Sequence, residues 1–241
     1  MTALVWLVAA INFLAAWLQA ATGFGYAILA MFLLPRLLPY RQCSVITAAM
    51  VVVIALQMSW QLRGHIRLRK VAAPLAWCLA TLWIGIWLIG ALDELVLRRI
   101  MGVFLILLAV FFWLTQRPGW RLRHTRANSA IFGALTGLAT GMFNITGPFF
   151  TVYYYHVLDD SLEVKANLEF SFLIAGSVSL ILNLRYVQLD GFMLQAIGLS
   201  ALAALGAGVA GLPFYRRIDK AQLQRIILVV LPVLGALQLV R

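Results

Sequence analysis

The stretch Ala139 to Phe150, ATGMFNITGPFF, sets two glycines, a proline, an asparagine and two threonines inside an apolar run. These residues weaken a helix and bring hydrogen-bonding groups into a place that is otherwise hydrocarbon. A shorter version, ATGFGYAI, occupies Ala21 to Ile28. A break in a helix frees backbone N–H groups at the start of the next half-helix. Those groups, with the positive end of the helix dipole, attract an anion. The chemistry available here is anion binding by backbone and neutral side chains.

Individual residues fill out this reading. Gly23, Gly25, Gly141 and Gly147 let backbone approach a ligand; their alternative use is close helix packing. Pro148 suits the first turn of a helix, so a half-helix is predicted from Gly147-Pro148 to His156, with Thr146 near its N-cap. Gln19, Thr22, Thr140, Asn144 and Thr146 supply neutral donors, which fit an anion that must bind and then leave. The amides of Gln19 and Asn144 need partners in lipid. Each threonine can instead bond back to its own helix.

Lys165, Asn167 and Glu169 enter the next segment as coupling or gating candidates. Lys165 either steers anions at a membrane mouth or snorkels from the segment end, and its position favours snorkelling. Glu169 lies about a turn inside, where charge is costly. It either carries a coupling proton or pairs with Lys165 at i, i+4, in the weaker order.

The elements that must hold these residues are membrane helices. The chain has 241 residues, 63% hydrophobic and 11% charged, with mean hydropathy +0.95. A soluble domain is about half apolar and about a quarter charged, so a polytopic membrane protein is expected. The net charge of +11 sits in short clusters between apolar segments. That pattern fixes topology and does not call for nucleic acid. Cys43 and Cys78 have no CxxC or His-rich partners and read as small buried hydrophobes, so no metal and no cofactor are expected. His65 and His124 fall in basic loops, and His156 ends the interfacial run Tyr153 to Tyr155. No Ser/His/Asp set, HExxH or Walker loop is present, so an enzyme is not expected. Met1 to Ala20 lacks a positive n-region and reads as a retained helix.

Apolar segments run over 2–20, 21–38, 43–62, 71–91, 96–115, 127–145, 146–158, 163–183, 191–214 and 222–240. Residues 2–38 would span about 55 Å as one helix, against a hydrocarbon core of about 30 Å. Each contiguous pair therefore folds back or breaks at its glycine motif. With both pairs as hairpins, one side of the membrane holds thirteen Lys and Arg and the other six. With single crossings the division is ten to nine, so charge asymmetry favours hairpins, with both termini outside.

The two motifs head two similar halves. Asp93 to Ile100 resembles Asp219 to Ile226 at an offset of 126, which also places Gly85 on Gly211, while the motifs align at 118. The expected fold is an all-α polytopic membrane protein of two inverted-topology repeats. Each is a glycine-broken hairpin plus three transmembrane helices: 1–116, a basic cytoplasmic linker at 117–126, and 127–241. Inverted repeats with interrupted helices are a signature of secondary transporters.

With these features the chain resembles the sulfite exporter TauE/SafE family of membrane transporters. LQAATGFGYAILAMFLLP is similar to that family's first glycine signature, and GALTGLATGMFNITGPFFTVYYY to its second. Gly147-Pro148 is kept, but Phe149 replaces a second proline, and MFNIT departs from the commoner Gly-Gly form. The resemblance covers the whole chain. It implies export of a small anion, chiefly sulfite or an organosulfonate, with other sulfur and carboxylate anions served by some members. It also implies a bacterial inner membrane. The alternative is a passive anion channel built on the same breaks.

Overall fold

The computed structural model describes residues 3–23, 25–115, 122–215 and 231–237, and among these there is no strand. The helices are α1 (Ala3–Thr22), α2 (Tyr26–Leu33), α3 (Tyr40–Gln61), α4 (Leu68–Ala91), α5 (Glu94–Thr115), α6 (Arg126–Phe143), α7 (Gly147–Val157), α8 (Ser161–Asn183) and α9 (Gly191–Tyr215). Residues 231–237 are also helical. Among the described residues, six stretches are long and apolar enough to cross a membrane: α1, α3, α4, α5, Ser161–Tyr186 and Gly191–Gly211. The second copy of the repeated octapeptide, Asp219 to Ile226, lies outside the described residues.

Both breaks fall at the motifs. After α1 the chain turns through Gly23 (φ 92°) and Gly25 (φ 109°), conformations open to glycine. The second break turns differently. Its left-handed residue is Asn144 (φ 56°), which ends α6 by donating its N–H to Thr140. Asparagine tolerates this conformation better than other side chains do. As the residue types predict, α7 starts at Gly147-Pro148 with Thr146 as N-cap. The helices run slightly past the predicted edge at the first break and stop short of it at the second.

The second broken pair doubles back. Tyr153 of α7 meets Ser129 and Phe132 near the start of α6 and His124 just before it. The residues around 66–70 and those around 157–163 line one surface hollow. The basic loop at 63–70 and the loop at 159–165 therefore share an end of the bundle.

Among the described residues the most extensive helix packing is α4 on α6, α1 on α9 and α3 on α8. The first is a glycine seam. A Cβ at Gly133, Gly137 or Gly141 would lie 2.2 Å from the Pro74 carbonyl oxygen, 2.2 Å from that of Cys78 or 2.3 Å from that of Leu82. This i, i+4, i+8 stripe lets backbones touch, as small residues do where water supplies no driving force between helices. Gly141 thus faces α4, the close helix packing that is the alternative use of these glycines. Large apolar groups such as Trp60, Trp77, Trp83 and Trp87 point outward, while Asn12, Ser44, Thr47, Asn183 and Ser200 are buried.

Candidate functional site

The two breaks converge on one cavity. Gln19, Gly25, Ala27 and Ile28 line it from the first, and Asn144 to Pro148 from the second. Val51 of α3 and Phe172 of α8 complete the wall. Its volume is about 10 Å³, room for about one water and smaller than an oxyanion. The N-caps of α2 and α7 are Gly25 and Thr146, and neither makes a side-chain cap. Two helix starts, each with orphan N–H groups and a positive dipole end, therefore face one small cavity.

Each break is held by a separate polar network anchored on α8. At the second, Asn144 donates its amide to the Ser44 carbonyl oxygen (3.1 Å) and hydroxyl (2.9 Å). The Ser179 hydroxyl donates to Asn144 Oδ1 at 2.7 Å. Asn183 closes the ring by accepting from Ser44 and donating to Ser179. The group expected as a ligand donor here holds the break. Thr140 bonds back to Thr136 and reaches the Thr146 hydroxyl at 3.1 Å. Tyr40 caps the Met142 carbonyl at 2.9 Å.

At the first break, Gln19 Nε2 donates to Glu169 Oε2 at 3.2 Å. Lys165 Nζ donates to the Ala20 carbonyl at 3.1 Å and lies 3.8 Å from Glu169 Oε1. Lys165 and Glu169 are both 0% exposed. This overturns the expectation that Lys165 snorkels: its ammonium turns inward because the last carbonyls of α1, the negative end of that helix, need donors. Thr22 bonds back to Leu18 at 2.8 Å. Tyr26, at the start of α2, donates to Asn12, and Asn12 donates to Ser200 of α9 at 2.9 Å.

Asn167 stands apart. Its Oδ1 accepts from the Arg67 N–H at 2.7 Å, and its amide donates to the Glu163 carbonyl at 2.6 Å. Arg67 also pairs with Glu163. Asn167 thus fastens the start of α4 to α8 at the bundle's end, away from the cavity.

Ser44, Ser179 and Asn183 were not singled out by the sequence reading. A signal was available. Lys165, Glu169, Phe172, Gly176, Ser179 and Asn183 recur at alternating steps of four and three, one face of α8. Hydrogen-bonding side chains stand at both ends of that face, one set for each break.

Hydrogen-bonding groups gathered inward and tryptophans turned to the outside mark a multi-pass membrane protein. The sulfite exporter TauE/SafE family profile matches residues 8–238, and the chain belongs to that family of membrane transporters. Searches of curated proteins and of solved structures found no significant match.

Proposed function

We propose that this protein is a secondary transporter that exports a small anion across a bacterial inner membrane by alternating access between inverted halves. Sulfite, an organosulfonate or a related small sulfur or carboxylate anion is the cargo class. The observation that carries this reading is the convergence of two uncapped half-helix starts on one small cavity. Backbone N–H groups and dipole ends contact the anion in a wall with no lysine or arginine among its lining residues, which favours release as well as binding. Gln19, Gly25, Thr146 and Gly147 are the contacts we assign to the bound anion, with Asn144 and Pro148 shaping the wall. Thr22, Gly23 and Thr140 form the turns around it.

The packing supports the inverted halves, 1–116 and 127–241, joined by the basic linker at 117–126. α1 on α9 and α6 on α4 are the same pairing with the halves exchanged. Gly85 of α4 packs on Leu138 and Gly141, and its counterpart Gly211 of α9 packs on Trp17 and Ala20. Residues 138 and 20 correspond at the motif offset of 118. Both termini then face outside. A cavity this small favours a constriction between the halves over an open pore.

Exchange in proteoliposomes tests the reading, with sulfite, sulfoacetate, taurine, sulfate and acetate as probes. Alternating access predicts that unlabelled anion inside accelerates uptake of the same labelled anion. Uptake without such acceleration assigns a passive channel. No uptake of any probe by folded protein defeats the transporter reading.

A further inference from the structure

The buried ion pair at the first break stands one residue from the cavity. Gln19 lines that cavity and donates to Glu169. Glu169 Oε2 is so engaged, while Oε1 has no hydrogen-bond partner and faces Lys165 at 3.8 Å. From α1 the group facing Glu169 is the Gln19 amide; from α8 itself it is Lys165. Titratable groups on the other elements packed against α8 are engaged elsewhere. Tyr154 of α7 meets Ser171, Tyr40 of α3 meets Met142, Cys43 of α3 meets Leu38, and Arg67 pairs with Glu163. On α4, Cys78 sits against Gly137 of α6. The network at the second break, Ser44, Asn144, Ser179 and Asn183, holds no titratable group.

Charge in a low-dielectric interior must be nearly balanced. The ammonium and carboxylate together are neutral. Adding a monoanion alone leaves a negative site, and adding a proton alone leaves a positive one. Adding both restores neutrality. The Gln19 amide carries the same logic, because the carboxylate and a cavity anion both draw on its Nε2 group, and the carboxylate holds that group toward itself.

We propose that Lys165 and Glu169 couple anion binding to proton binding, so that each monoanion crosses with a proton and export runs down the anion's own outward concentration gradient. A proton from the aqueous side adds to the Glu169 carboxylate, which frees the Gln19 amide for the anion and leaves the Lys165 charge for the anion to balance. On the opposite side the anion departs, the carboxylate returns the proton to water, and the ion pair re-forms. Lys165 acts through charge from beside the cavity, and Gln19 is the contact residue. This rests on the transporter reading above.

Methanesulfonate, a monoanion at every pH used, and sulfite are the probes. In wild-type proteoliposomes an acidic exterior drives methanesulfonate accumulation at clamped zero potential, and an imposed potential without a pH gradient does not. In detergent, binding takes up about one proton per anion. In Glu169→Gln the site is neutral with the anion alone, so accumulation follows the potential and falls to the protein-free level under a pH gradient. Wild-type flux that follows the potential and ignores the pH gradient overturns the proposal, whether or not the variant folds. A variant still driven by the pH gradient also overturns it. If neither probe moves through the wild-type protein, and none of the five exchange probes does, the transporter reading itself falls.

Discussion

The ammonium of Lys165 lies 3.1 Å from the carbonyl oxygen of Ala20, 145 residues away in the chain. This contact ties α8 to the last turn before the first break. It places a positive charge at the negative end of α1 and leaves Glu169 to the amide of Gln19. The second break is tied to the same helix by neutral groups, through Ser179. The rise along α8 from Glu169 to Ser179 is about 15 Å, so the two fastenings stand at different depths on either side of Phe172.

Removing one member of the buried pair strands the other. Lys165→Met is expected to destabilise the protein by about 3–5 kcal/mol. The double variant with Glu169→Gln is expected to recover most of that loss, because no unpaired charge remains. Thermal unfolding of the three variants in detergent checks this. Losses that simply add would show that the two side chains are not energetically coupled.

Asn144 combines two duties that substitution can separate. Asn144→Gly keeps the left-handed turn but removes the side chain, leaving Ser44 and Ser179 short of a partner, at about 1–3 kcal/mol. Asn144→Ala adds the cost of a Cβ at positive φ, about 1–2 kcal/mol more. Melting temperatures should rank wild type above Gly and Gly above Ala. Equal values for Gly and Ala would remove the backbone argument.

The seam between α4 and α6 has no room for side chains. Gly141→Ala puts a Cβ 2.3 Å from the Leu82 carbonyl oxygen and 2.8 Å from Gly85 Cα, at an expected cost of about 1–3 kcal/mol. Gly64→Ala, where a Cβ meets nothing within 4 Å, is the control and should melt like wild type.

His124 lies outside the spanning segments, with Nδ1 2.6 Å from the Tyr153 hydroxyl. Burial, then the nearby charge of Lys70, holds its pKa below the usual 6.5. The unfolded chain therefore binds a proton more readily than the folded one. Stability from this site is full above pH 6.5 and is lost as pH falls through the lower folded value. Melting temperatures between about pH 5 and 8 should show this acid-side loss in wild type and a smaller one in His124→Gln.

The sequence by itself determined the membrane class, the helical segments and the two places where a helix must stop. Those follow from local quantities: hydropathy over a span's length, and glycine, asparagine and proline whose backbone preferences act where they stand. It also carried the start of α7 at Gly147-Pro148 and, through paired motifs, the family. The tertiary structure decided the partners. Lys165 reads as an end residue along the chain, and only the arrival of Ala20 beside it explains its burial. Gly141 reads as a ligand-side glycine until α4 is laid against it. Asn144 and Ser44 are 100 residues apart, and Gln19 and Glu169 are 150 apart. A polar side chain in lipid must find a partner, but nothing local in its own segment says which. That choice is made only when helices pack and bring one face of α8 against both breaks.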